Sequence, residues 1–127
     1  MAVIKSFTDL QQSKKLAEIL PHESADMEFM FLKEDNSMVG RVPFVKDGYE
    51  EPDCGYNIVP CWSLAALISI LPILERKGYQ KAKPRLSYNV AINKWIVDSH
   101  VYTTDAYDNL VDACYEMILK LHELKML

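Results

Sequence analysis

The stretch Asn109-Leu-Val-Asp-Ala-Cys-Tyr-Glu-Met-Ile-Leu-Lys-Leu-His-Glu-Leu124 constrains the fold more than any other part of the chain. At about 100° per residue, Leu110, Cys114, Met117, Leu121 and Leu124 fall on one arc of a helix, with Val111, Ala113 and Ile118 on its flanks. A stripe of that width must be buried against another element. Asn109 suits the N-cap, and Asp112 falls at N3, where a carboxylate meets the positive end of the helix dipole. Cys114 lies near the middle of the stripe, so it is expected to be a buried thiol that acts as a small hydrophobe. Asp112, Glu116 and Glu123 gather on the opposite side, where Glu116 and Lys120 form an i,i+4 pair. His122 falls at the stripe's edge near Val111 and Tyr115. The cysteine, the histidine and the acids point in three directions, which makes this helix core and not a reactive site.

Two hairpins supply the surface such a helix needs. In residues 26–45 a turn at Asp35-Asn36 sets Phe31 opposite Gly40, Phe29 opposite Val42 and Met27 opposite Phe44 on one apolar face. The other face takes Glu28 with Pro43, Met30 with Arg41 and Leu32 with Val39; Pro43 lacks a backbone donor, so its strand is expected at an edge. In residues 86–102 a two-residue turn at Asn93-Lys94 sets Ile92 opposite Trp95, Val90 opposite Val97 and Leu86 opposite Val101. The reverse face then carries Asn89 opposite Asp98 and Ser87 opposite His100.

Two further helices complete the pattern. The first starts at a capping box of Thr8 and Gln11, carries Leu10, Leu16, Ala17, Ile19 and Leu20, and stops at Pro21. The second runs from about Cys61 to Leu71, is apolar nearly all round, and ends at Pro72. The expected order is α-ββ-α-ββ-α. The expected fold is a two-layer α+β domain: a four-stranded antiparallel sheet from two β-hairpins, with helices packed on one face and Met30, Ile96 and Tyr102 on the uncovered one.

At 127 residues one domain, residues 1–127, is expected, and it needs neither disulfide nor metal to fold. Half the residues are hydrophobic and 25% are charged, a globular composition. The net charge of -4 is too mild to name a polyanionic partner. The longest uncharged stretch, 54–74, is broken by Pro60 and Pro72, so no membrane span is expected. Met1-Ala-Val-Ile-Lys5 has no apolar segment of signal-peptide length, and three cysteines show no framework spacing; three reduced thiols in the cytoplasm are expected.

The long segment 46–60 holds the candidate interaction surface: Tyr49, Glu50, Glu51, Asp53, Cys54 and Tyr56. The stretch after the second helix carries a candidate basic patch of Arg76, Lys77, Lys81, Lys83 and Arg85, open to phosphate or simply solvated. Ser87, His100 and Asp98 share one expected sheet face, but a triad also needs a pocket and an oxyanion hole, and no nucleophile elbow is present. Cys54, Cys61, His22, His100 and His122 match no zinc-ligand spacing. The four glycines, Gly40, Gly48, Gly55 and Gly78, are not clustered, so no nucleotide-cradling loop is formed, and no metal or cofactor is expected.

Three pieces of sequence carry a resemblance: Pro60-Cys-Trp-Ser-Leu64 with Pro72 closing the helix, the tryptophan-bearing hairpin 86–102, and the helix opening at Asp108-Asn-Leu-Val-Asp-Ala-Cys114. Together, across residues 58–124, they resemble an uncharacterised family of small proteins encoded in bacterial prophages and mobile elements. Its members show a Pro-x-Trp-[Ser/Thr]-Leu helix start, a hairpin and an Asn-x-Val-Asp-Ala helix. Where members carry proline after the asparagine, this chain has Leu110. The resemblance implies a cytoplasmic phage or mobile-element accessory protein and carries no activity or catalytic residue. The expected function is a non-enzymatic protein-interaction module with an unknown protein partner or a second copy of itself. Beside it stand a small-ligand or enzyme site near 46–60, and nucleic-acid binding through the basic stretch 76–85.

Overall fold

The computed structural model describes residues 5–43, 56–75 and 81–127. They gather into two compact units: Phe7–Ala66, and Leu67–Leu127 with the N-terminal stretch through Ser6. Both units combine helix and antiparallel strand, so the α+β class holds. The expected single four-stranded sheet does not form; a three-stranded sheet and two two-stranded sheets take its place.

In the unit Phe7–Ala66, α1 (Leu10–Ala17) is capped by Asp9, one residue after the expected Thr8. The Asp9 carboxylate accepts the Gln12 N–H at 2.8 Å, and the Gln12 side chain accepts the Asp9 N–H at 3.1 Å. Thr8 with Gln11 and Asp9 with Gln12 both fit the box pattern. The choice falls to Asp9 because the Thr8 hydroxyl is buried elsewhere, 2.8 Å from the Ser13 hydroxyl and accepting the Trp62 N–H at 3.1 Å.

Strands β1 (Met27–Leu32), β2 (Met38–Pro43) and β3 (Tyr56–Cys61) pair in the order β2-β1-β3. Asn36 takes the turn at φ 59°, where an Asx residue is tolerated. The pairs are Met27 with Pro43, Glu28 with Val42, Phe29 with Arg41 and Met30 with Gly40, one residue off the expected alignment. Val39 then bulges, bringing Phe31 opposite Met38, and Gly40 beside it sits at φ 150°, which suits glycine. Pro43 stands on the sheet's outer strand, as expected.

The alignment differs because β1 is a central strand. Glu28, Phe29 and Met30 are buried in succession, so both of its faces are covered. The expected uncovered face around Met30 is thereby corrected: Met30 is 5% exposed. Strand β3 is what covers the second edge of β1, and it lies where a loop and the start of the second helix were expected. A bridge from Phe7 to Ser63 and a bond from the Thr8 N–H to the Trp62 carbonyl at 2.9 Å extend the ladder beyond β3, and α1 packs on that strand. Trp62 is fully buried and donates its indole N–H to Ser24 Oγ at 3.0 Å.

Helix α2 (Leu64–Ile70) begins three residues later than expected because Cys61 still pairs with Met27. Ser63 caps it, accepting the Ala66 N–H at 3.2 Å, and Asp26 accepts both the N–H and the hydroxyl of Ser63. Within the helix only Leu67 is buried, so the expected burial on several sides is not observed.

The second unit holds the short pair β4 (Leu74–Glu75) and β5 (Lys81–Ala82), the hairpin β6 (Arg85–Asn89) and β7 (Lys94–Asp98), and α3 (Leu110–Glu123). In the hairpin Arg85 faces Asp98, Leu86 faces Val97, Ser87 faces Ile96, Tyr88 faces Trp95 and Asn89 faces Lys94. This is a slip of four residues from the expected pairing. A two-residue type I′ turn at Asn93-Lys94 needs positive φ at both positions, a poor fit for lysine. Only Asn93 adopts it, at φ 53°, closing a four-residue turn over 90–93.

Strand β7 stops at Asp98 because Ser99 reverses the chain, its Oγ accepting the N–H groups of Val101 at 3.3 Å and Tyr102 at 3.1 Å. The returning segment 103–107 lines the other edge of β7 through bridges from Asp98 to Thr103 and from Trp95 to Tyr107. Each hairpin thus finds a neighbour for one of its edges within its own unit. Helix α3 packs on β7 and buries Val111, Ala113, Cys114, Met117, Ile118 and Leu121; Leu124 remains 42% exposed. Asn109 caps it as expected, accepting the Asp112 N–H at 2.8 Å, and Lys5 reaches Asp112 at 2.8 Å. The expected Glu116–Lys120 pair is replaced: Lys120 lies 3.6 Å from Glu123, and Glu116 is engaged by the segment 103–107.

Candidate functional site

The hairpin β6–β7 ends in an exposed apolar tip. Asn89 accepts the Ala91 N–H through its side-chain oxygen at 3.0 Å, an Asx turn that opens the loop. The Tyr88 hydroxyl donates to the Asn93 side chain at 3.1 Å, and the rings of Tyr88 and Trp95 lie 4.9 Å apart with a 50° tilt. Beyond this clasp Val90 is 76% exposed, Ile92 51% and Tyr88 44%. The expected alignment buries Val90 and Ile92 against Val97 and Trp95; the slip of four puts both in solvent instead.

The strand edge beside that tip pairs with no strand among the described residues. Trp95 exchanges both main-chain bonds with Tyr107, at 2.7 and 2.9 Å, and Val97 accepts the Thr104 N–H at 2.9 Å. These groups of β7 point away from β6. By alternation Lys94, Ile96 and Asp98 bond to β6, and on β6 it is Leu86 and Tyr88 whose N–H and C=O point outward. No described strand pairs with that edge.

The hairpin is held firmly at its base. Glu116 accepts the Tyr107 hydroxyl at 2.6 Å and the Asp105 N–H at 3.1 Å. The carboxylate beside it drives the Tyr107 hydroxyl well above the ordinary tyrosine range, and pushes Tyr102 up as well. The Lys120 ammonium lies 5.3 Å from the centre of the Tyr102 ring, and Lys94 pairs with Asp108.

The residues singled out from the sequence are not assembled into one site. Tyr49, Glu50, Glu51, Asp53 and Cys54 lie outside the described residues, and Tyr56 opens β3 opposite Leu32. Arg76 and Lys77 lie outside them too. Lys81, Lys83 and Arg85 are exposed, and the Arg85 guanidinium lies 3.3 Å from Asp98. Ser87 and His100 are not opposite one another: Ser87 faces Ile96, His100 lies in the reversal beyond β7, and Asp98 accepts from Thr103 at 2.6 Å. Among the described residues no three His, Cys, Asp or Glu side chains form a metal-binding group, and no helix is long and apolar enough to cross a membrane.

One chemically notable group escaped the sequence reading. Glu28 is fully buried on β1, 3.5 Å from the His22 imidazole. The unbroken run Met-Glu-Phe-Met-Phe-Leu was the available signal, because a strand without alternation is covered on both faces. Cys61, also fully buried, has its thiol pushed up by desolvation and donates to the Thr8 carbonyl at 3.5 Å. Comparison with known protein families, with curated proteins and with solved structures gave no match.

Proposed function

We propose that this chain is a non-enzymatic protein-interaction module that docks through the β6–β7 hairpin, an accessory factor of the kind the prophage-family resemblance implies. The observation that carries this reading is the exposure of Tyr88, Val90 and Ile92 at the end of a hairpin braced by Glu116 and the segment 103–107. Clustered apolar side chains on a well-supported projection are typical anchors of protein interfaces. The outer edge of β6 adds main-chain donors and acceptors of the kind that extended partners use. Binding of nucleic acid through the basic stretch is the weaker reading, because Arg85 is already faced by Asp98.

The test places a photo-reactive residue at Ile92 in the full chain and irradiates it in lysate of a bacterial host. A discrete adduct with another protein is expected. Tyr88→Lys together with Val90→Asp should abolish it while the melting temperature stays within a few degrees. An adduct pattern unchanged by those substitutions would refute the assignment to this tip.

A further inference from the structure

The outer edge of β6 is matched to itself, and we infer that its occupant is a second copy of this chain, paired antiparallel through β6 about a two-fold axis at Ser87. This rests on the interaction reading above and names a partner for the strand edge beside the tip.

The donors on the edge select the alignment. Leu86 and Tyr88 present their N–H and C=O outward. Pro84 before them has no N–H, and Val90 after them has entered the turn. Centring the pair on Ser87 sets Leu86 of one copy against Tyr88 of the other, twice over, and satisfies every outward donor and acceptor of both. Ser87 then meets Ser87, and Arg85 meets Asn89. Centring on Leu86 instead would set Tyr88 against Pro84, leaving an acceptor without a donor.

Side-chain chemistry agrees with that alignment. One face brings together Leu86 and Tyr88 of both copies. The other face is polar and sets no like charges opposite one another. The two Arg85 side chains would stand about 14 Å apart along the strands, beyond the Debye length of roughly 8 Å at physiological salt. Each keeps its own Asp98 at 3.3 Å. An acidic peptide would find that arginine already faced by a carboxylate, whereas a second copy brings no net charge to the contact. A two-fold contact of this kind is closed, so it ends at a dimer and does not build a filament.

The experiment reads the alignment directly. At a non-hydrogen-bonded antiparallel pair the Cα atoms lie about 4.5 Å apart, within disulfide range. In a Cys54→Ser background the Ser87→Cys chain should therefore oxidise to a covalent dimer, while Cys61 and Cys114, both buried, should not. Asn89→Cys, about 14 Å from its own copy, should remain uncross-linked under the same conditions. Ser87→Lys sets two ammonium groups face to face and should weaken self-association at least tenfold by sedimentation equilibrium. Mixing Ser87→Lys with Ser87→Glu should restore it. Ser87 is exposed, so melting temperatures should hold across the series. A wild-type chain that stays monomeric as concentration rises, or equal cross-linking at residues 87 and 89, overturns the inference. A monomer that still gives the Ile92 adduct would overturn self-pairing and leave the interaction module standing.

Discussion

The thiol of Cys114 lies in the middle of the buried face of α3 with no exposed surface, and desolvation pushes it up to about 12 from an ordinary 9.0. At about pH 8 this leaves roughly one thiolate in ten thousand, against about one in ten for an exposed thiol. Alkylation by iodoacetamide should therefore be at least about a thousandfold slower than in the unfolded chain, and steric burial slows it further. A raised thiol pKa also ties stability to pH in one direction. The folded state holds its proton more tightly, so the stabilisation is complete below about pH 9 and is lost as pH rises through the folded value. Between about pH 9 and 10 that loss is about 1 kcal/mol. Cys114→Ala removes the titrating group. Near neutral pH it should cost about 1 kcal/mol for the lost packing, and above about pH 9 its stability should fall less steeply than that of the parent. Site-resolved mass spectrometry after timed alkylation, with urea titrations at each pH, checks both parts. Native labelling of Cys114 as fast as in urea, or parallel pH profiles for the two chains, would refute the reasoning.

Two further substitutions test how the second unit is braced. Glu116→Ala removes the acceptor for the Tyr107 hydroxyl and the Asp105 N–H and should cost about 1.5–3 kcal/mol in urea unfolding. It should also lower the ultraviolet titration midpoint of Tyr107, which this carboxylate holds up; an unmoved midpoint would assign that shift to another cause. Asn109→Ala removes the cap on the Asp112 N–H and should cost about 1 kcal/mol, with Asn109→Ser close to the parent; equal losses in both would exclude capping as the reason.

Local signals in the sequence carried far. The cap at Asn109, the burial of Cys114 and the edge position of Pro43 all stand in the structure as expected. Each depends on a few neighbouring residues and on chemistry those residues carry with them. Where two local solutions were equally good, the sequence did not choose. Thr8–Gln11 and Asp9–Gln12 are both capping boxes, and Asp9 prevails because Thr8 is claimed by Ser13 and Trp62, the latter far along the chain.

The candidate site was less legible. The hairpin 86–98 was evident as a hairpin, but its apolar residues fit two alignments four residues apart. The expected one buries Val90 and Ile92; the observed one exposes them and puts Tyr88 beside Trp95. A shift by an even number of residues keeps each side chain on its face, so alternation alone cannot detect it. The Asx turn at Asn89 and the single positive φ at Asn93 make the difference.

By itself the sequence determined the α+β class, the C-terminal helix with its buried stripe, and the strand-forming character of residues 27–32 and 94–98, because periodicity and capping are properties of contiguous residues. Only the tertiary structure decided which strands became neighbours. Strand β3 and the segment 103–107 each pair with one edge of a hairpin, and separate sheets stand where one four-stranded sheet was expected. The physical reason is that a strand edge is satisfied by any backbone able to reach it. Main-chain donors and acceptors are alike in every residue but proline, so side-chain pattern says that an edge must be paired without saying by what.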